Sequence, residues 1–341
     1  MNGYQRIQAA LRDQPADQIP VMLHNFLMAA REAGITMTQF RNDSKMMAEA
    51  FIRSVEKYQI DGVMIDMDTV TLAGAVGVPV DFPHDDAARS KQGNLKDLPD
   101  IRKLDRVRVD HYKFVQNWLE AVRIIKSYFK DEVFVRGNCD QAPFSLASMM
   151  RGMENWMTDL YMGEEALLYE IMDYCADASL QFIRLMAQTG CDMLSNGDSP
   201  AGPDLLPPEL YEKFALPYEK KLVEESHRLG LPYAIHICGN TGLILEKMVR
   251  NGADAFELDY KTDTRLAFNV LHDKAVFIGN VDPSGVLAMG TPALVREKTE
   301  SLLKIFSKTN RFILNAGCAI PANTPEENIR EMIITAKEYK R

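Results

Sequence analysis

The segment HICGN places His236 and Cys238 two residues apart within a run of apolar residues. On an extended strand such a pair projects from one face, so an imidazole nitrogen and a thiolate can reach a single ion without distorting the backbone. Taken alone, such a pair in a buried strand more often reflects ordinary packing. Cys318, in the segment NAGCAIP, offers a third donor. Two thiolates and one imidazole with a vacant position form the donor set of a catalytic zinc, whereas a structural zinc takes four protein ligands. Cys139 competes as a ligand, while Cys175, in a helical apolar pattern, and Cys191, at the start of a strand, read as core thiols. Five cysteines so scattered do not make a disulfide framework.

Positioning these residues requires elements that alternate along the chain. Eight short runs rich in Val, Ile, Phe and Leu predict strands at 19–26, 61–68, 133–138, 191–198, 232–238, 255–259, 275–282 and 311–318. Between them lie amphipathic segments such as SKMMAEAFIRSVEKYQ and TPALVREKTESLLKIFSKT, several closing with Gly before the next strand, as in QTGCD, HRLGLP and VRNGAD. Eight βα units predict an α/β fold, a single-domain (β/α)8 TIM barrel spanning 1–341 with an N-terminal helical extension. No glycine-rich phosphate loop follows any strand, which removes the nucleotide-binding alternative. The stretch from about 74 to 130 is too long for one crossover helix, and its polar, Pro-rich part predicts a long loop over the barrel mouth.

In such a barrel the C-terminal strand ends carry the active site. Nearly every predicted strand ends in polar residues: His24, Asp66 and Asp68, Asn138 and Asp140, Asn196 and Asp198, Glu257 and Asp259, Asn280 and Asp282, and Asn315. His24, Asp66, Asp68, Asn138, Asp198, Asp259 and Asn280 are therefore expected to act on or bind substrate, and Glu257 to offer a fourth ligand. His24 reads equally well as a structural donor, and Asp66 and Asp68 as members of ion pairs. His84, His111, His227 and His272 fall in loops or on helical faces and read as solvated. Met64, Met67, Met149 and Met150 near the mouth would suit an apolar ligand, and only Arg136 and Arg151 lie close enough to bind an anionic one.

A formal charge of −9 opposes binding to nucleic acid or anionic membranes, whose capture requires clustered Lys and Arg. The sequence contains no run of about 18 apolar residues. Its first 20 residues lack the regions of a signal peptide, and the expected location is the cytoplasm.

Over residues 4–339 the sequence resembles the uroporphyrinogen decarboxylase superfamily. The likeness is carried by DSPAGPDLLPPELYEKFALPYEKKLVEESHRLG (198–230), HICGNTGLILEKMVRNGADAFELDYKTD (236–263), GNVDPSGVLAMGTPALVREK (279–298) and NAGCAIPANTPEENIREMI (315–333). The decarboxylase branch carries an arginine-rich N-terminal motif for the porphyrin carboxylates. Here that stretch is PVMLHNFLMAAREAG, with His24 and Asn25 where the basic anchors begin. The corrinoid-dependent methyltransferase branch has a zinc motif of His-x-Cys and a distant Cys, which His236, Cys238 and Cys318 match; Asp259 falls on the acidic position after the next strand, and QAPFSLA (141–147) matches a further family segment. This resemblance implies a zinc enzyme that moves a methyl group between a small substrate and the cobalt of a corrinoid (cobalamin). The chain has no Asp-x-His-x-x-Gly module of its own, so the corrinoid arrives on a partner protein. The weakly basic, Met-rich mouth favours O-demethylation of a methoxylated aromatic. The alternatives are methylcorrinoid:thiol transfer of the coenzyme M type, a metal-independent decarboxylase-like lyase, and a non-catalytic scaffold.

Overall fold

The computed structural model describes residues 1–340. Eight parallel strands form its central sheet: β1 (Met22–Leu23), β2 (Gly62–Ile65), β3 (Phe134–Gln141), β4 (Met193–Gly197), β5 (Tyr233–Ile237), β6 (Ala255–Leu258), β7 (Val276–Val281) and β8 (Phe312–Ala316). Each lies within, or within three residues of, a segment predicted from apolar runs. The sheet closes through a parallel bridge between Val21 and Leu314, reinforced by Leu314 N–H donating to the Pro20 carbonyl at 2.9 Å. β1 is short because Pro20, just before it, has no N–H to donate. The architecture is the expected (β/α)8 barrel.

The helical extension α1 (Gly3–Leu11) starts at a capping box between Asn2 and Gln5. It turns Ile7 and Ala10 onto the inward residues Met22, Phe134, Met193, Ala234, Ala255, Val276 and Ile313, closing the N-terminal end of the barrel with an apolar plug. Salt-bridged Arg6 and Asp61 (2.8 Å) tie the helix to the strand it covers. The outer ring includes α2 (Ser44–Tyr58), α3 (Lys113–Phe129), α4 (Glu165–Ala187), α5 (Leu216–Arg228), α6 (Thr264–Leu271), α7 (Pro292–Phe306) and α8 (Glu326–Glu338). In α2, Met47, Ala48, Phe51 and Val55 recur at helical spacing on the buried face, and Asp43 caps the first turn. Gly190 and Gly230 close their helices at φ of 83° and 79°, the left-handed conformation expected of them.

Two connections depart from the sequence expectation. The segment GLILEKMVRNG breaks into three short turns because Thr241 N–H is drawn to Thr262 Oγ1 (3.0 Å), away from helical pairing. The segment before α5 opens into one wide turn over Tyr211–Ala215, since Pro217 cannot donate to the preceding turn. The long excursion consists of a small hairpin (Val80–Asp81 with Arg89–Ser90) and two short 3-10 segments (Leu98–Lys103 and Val109–His111), followed by the ordinary crossover helix α3. Contacts from Arg41 to the Pro83 and Asp86 carbonyls and from Thr38 N–H to the His84 carbonyl (2.9 Å) hold the hairpin on the C-terminal rim. Among the described residues no helix is long and apolar enough to cross a membrane.

Candidate metal centre

His236 is the inward residue near the end of β5, and Cys238 is the first residue beyond that strand. The ring Nε2 lies 3.0 Å from Cys238 Sγ, and Cys238 Sγ lies 3.6 Å from Cys318 Sγ. A tetrahedral zinc with Zn–S of about 2.3 Å and Zn–N of about 2.0–2.1 Å separates its ligand atoms by about 3.5–3.8 Å. The three atoms therefore need only small movements to hold such an ion. Among the described residues these three are the one His, Cys, Asp or Glu group so placed.

The far side of the imidazole fixes its tautomer. His236 Nδ1 is 3.0 Å from the Glu257 backbone carbonyl, which accepts a hydrogen bond only from Nδ1–H and so leaves the Nε2 lone pair for a metal. Around the thiols, Cys238 N–H donates to Ser199 Oγ at 3.3 Å. The Cys318 loop is pinned by Gly317 N–H donating to the Val281 carbonyl and Ile320 N–H to the His24 carbonyl, both at 2.8 Å. A Cβ added to Gly317 would stand 2.4 Å from Tyr260 N, so only glycine lets the two loops approach this closely.

Burial disfavours a charge on His236, but the Cys238 thiolate outweighs it and raises the imidazole to about 9. Cys238 drops to about 3, because the Cys318 thiol donates to it and the His236 charge faces it. Cys318 is correspondingly pushed up as the donor of that pair. The centre thus already stabilises a thiolate, the form that binds metal.

The Glu257 carboxylate is not among the three converging ligand atoms. Its Oε1 lies 3.9 Å from His236 Nδ1, on the side of the ring away from the sulfurs. The carboxylate is fully buried between Arg136 and His24, with His24 Nδ1 3.3 Å away. Burial opposes its ionisation, yet Arg136 and His24 prevail and hold it well below the usual carboxylate range. His24 in turn reaches Asp66 Oδ2 through Nε2 at 2.8 Å, and Asp66 Oδ1 accepts from Asn138 Nδ2 at 3.0 Å. Burial acts against protonation of His24, but Asp66 and Glu257 raise it to about 9.

Other strand-end residues brace the structure. Asp259 accepts from Gly239 N–H (3.0 Å) and Lys261 N–H (2.9 Å), and Asn280 Nδ2 donates to the Asp259 carbonyl (3.0 Å), so both tie loops together. Asp68 and Asp198 do not join the centre: Asp68 caps the turn at Val70 and Thr71, and Asp198 accepts from Ser145 N–H and Oγ–H at 2.9 and 2.6 Å. Cys139 is wholly buried and its thiol is pushed well above the usual range by burial, which removes it as a competing ligand; Cys175 and Cys191 are buried as expected. The four remaining histidines are exposed, with His227 Nε2 2.7 Å from Asp254. Met64, Met67 and Met150 are core residues, and of the four methionines Met149 alone lies partly open. Sequence reasoning missed the roles of Ser195, which accepts from Arg136 Nε at 2.8 Å, and of Ser199; nothing in their local sequence marks them.

Residues 3–339 match the family model described as uroporphyrinogen decarboxylase (URO-D). The chain is 29% identical to the methylcobamide:CoM methyltransferase MtbA of Methanosarcina mazei, with 98% of each chain covered. It is 24% identical to the methylcobamide:CoM methyltransferase MtaA of Methanosarcina barkeri over 98% of this chain and 97% of that one. A uroporphyrinogen decarboxylase of Microcystis aeruginosa is 28% identical, covering 92% and 90%. The solved structure of a methyltransferase from Methanosarcina mazei superposes with a TM-score of 0.86 at 22% identity, covering 99% of both chains, and so shows the same fold. With the barrel, its closed N-terminal end and a family match over nearly every residue, the chain belongs to the uroporphyrinogen decarboxylase family.

Proposed function

We propose that this chain is a zinc-dependent methyltransferase that exchanges a methyl group between a small substrate and the cobalt of a corrinoid carried by a partner protein. The observation that carries this reading is the convergence of His236 Nε2, Cys238 Sγ and Cys318 Sγ, spaced for a tetrahedral ion. The full-length similarity to methylcobamide:CoM methyltransferases supports exchange with a corrinoid. Zinc at these ligands supplies Lewis acidity at an open position, lowering the pKa of a substrate thiol or polarising an ether oxygen.

The chain's own residues hold and orient. The Glu257 backbone carbonyl fixes the His236 tautomer, while His24, Asp66 and Asn138 form a hydrogen-bonded polar floor beside it. In demethylation the C–O bond breaks with its electron pair left on oxygen, which takes a proton, and the cobalt(I) pair forms the new Co–C bond. In thiol methylation the C–S bond forms from the thiolate, the thiol proton is released, and the Co–C pair stays on cobalt.

For the small substrate, one observation favours a methoxylated aromatic. Both arginines near the mouth are already engaged: Arg136 is fully buried against Glu257, and Arg151 pairs with Asp159 at 2.5 Å. Arg136 keeps only Nη2 without a partner, and Arg151 also donates to the Leu95 and Lys96 carbonyls, so neither offers a whole guanidinium fork to a short sulfonated thiol. The relatives' names favour the thiol version. Two assays separate them: transfer from methoxylated aromatics to cob(I)alamin, and transfer from methylcobalamin to thiols. Turnover in the first alone supports demethylation, turnover in the second alone supports thiol methylation, and full activity in Cys238→Ser would support the metal-free lyase.

A further inference from the structure

Cys238 Sγ and Cys318 Sγ stand 3.6 Å apart, although 80 residues separate them along the chain. A disulfide bond is about 2.05 Å long, so the sulfurs need to approach by only about 1.5 Å, a movement within reach of the two side chains. The loops that carry them are anchored on both sides. Cys238 N–H donates to Ser199 Oγ at 3.3 Å, and the next N–H, of Gly239, donates to Asp259 Oδ2 at 3.0 Å. Gly317 N–H and Ile320 N–H, flanking Cys318, donate to the Val281 and His24 carbonyls, both at 2.8 Å. These anchors keep the sulfurs side by side whether or not an ion joins them. Each thiol therefore meets its partner at an effective concentration far above that of any thiol on another molecule.

The other three thiols are not placed to compete. Cys139 and Cys175 are fully buried and Cys191 nearly so, whereas Cys238 and Cys318 are partly open. Cys175 Sγ lies 3.5 Å from Met150 Sδ, and Cys191 Sγ–H donates to the Met186 carbonyl at 3.5 Å, so each has a partner that is not a cysteine. A small oxidant arriving from solvent reaches the metal-binding pair first.

We infer that Cys238 and Cys318 form a reversible disulfide when no metal is bound, so that the centre is also an oxidation site at which a peroxide switches metal binding off. One thiol sulfur takes an oxygen from hydrogen peroxide as the O–O bond breaks, forming a sulfenic acid and releasing one water. The second sulfur then attacks the first, the S–O bond breaks, and a second water leaves as the S–S bond forms. Two thiols give up two electrons and two protons, and one peroxide is reduced to two waters. The product has no thiolate left for a metal, and His236 Nε2 remains as a single donor, too few to hold zinc. A dithiol reductant reverses the step by exchange.

The test strips the full chain with a chelator, treats it with a small excess of hydrogen peroxide, then denatures it, alkylates the remaining thiols and digests it with trypsin. Each sulfur falls in its own tryptic peptide with no other cysteine, residues 229–247 for Cys238 and 312–330 for Cys318. The expected result is these two peptides joined, a fall from five free thiols to three, and no zinc uptake by the oxidised chain. Dithiothreitol should restore all five thiols and zinc uptake together. In Cys318→Ser, which removes the second sulfur, the same dose should carry Cys238 on to the sulfinic acid. Peptides that stay separate in the stripped wild type overturn the inference, as does a cross-link to Cys139, Cys175 or Cys191 or between two chains. Zinc-loaded protein should keep all five thiols under the same dose. Cross-linking there as fast as in the stripped chain counts against zinc at these two sulfurs and leaves the disulfide standing.

Discussion

At the scale of single residues, the centre works because each donor is held by a group behind it. Glu257 illustrates the energetics: its buried carboxylate faces Arg136 and His24, so Glu257→Gln leaves a buried guanidinium without its counter-charge. Breaking a buried pair this way costs about 3–5 kcal/mol. Thermal unfolding should show that loss, whereas competition with a zinc chelator should show metal held almost as in the wild type, because the hydrogen bond to His236 Nδ1 comes from the backbone carbonyl that the variant keeps. The same residue marks how far sequence reasoning reaches. The two-residue spacing of His236 and Cys238 was enough to place both on one face, because strand geometry alone decides that. Glu257 also points inward, but which side of the imidazole its carboxylate occupies depends on Arg136, three strand positions away in the sheet order and invisible in local sequence. Asp68 and Asp198 stand outside the metal centre for a related reason: a polar side chain at a strand end also serves to satisfy the backbone N–H groups that follow.

At the scale of elements, the loops after β5, β6 and β8 interlock. Gly317→Ala forces the Cys318 loop from the backbone at Tyr260 and should weaken zinc binding while the circular dichroism spectrum stays that of wild type. A second element carries a pH signature. On α5, Glu219 is buried beside Asp198 and accepts from Tyr211 Oη–H (2.7 Å) and Asn251 Nδ2 (2.9 Å). Burial, and then the Asp198 charge, raise Glu219 from 4.5 to about 8. A carboxyl raised in the folded state binds more protons folded than unfolded, so its stabilisation is complete below the unfolded pKa and is lost as pH rises through about 8. The unfolding free energy from urea titrations should therefore fall from pH 5 to pH 9, and Glu219→Gln should flatten that slope. The strands themselves were legible because eight apolar runs bounded by turn residues admit little else. The broken connection after β5 was not, since its helical spacing was overridden by the single contact between Thr241 and Thr262.

At the scale of the whole molecule, the barrel separates stability from chemistry along its axis. The N-terminal end is an apolar plug to which α1 contributes Ile7, and the C-terminal end carries the polar floor and the cluster of His236, Cys238 and Cys318. Ile7→Ala should therefore cost about 2–4 kcal/mol in unfolding experiments and leave metal content untouched. The pairing of first and last strands, which brings Cys318 to Cys238 across 80 residues, follows from closure of the barrel and was readable only once eight strands had been counted. The central claim is the zinc centre, and elemental analysis of the wild type, Cys238→Ser and Cys318→Ser, each purified without added zinc, tests it most directly. The account predicts one zinc per chain in the wild type and its loss in both variants. A wild type that is metal-free and takes up no added zinc would contradict it.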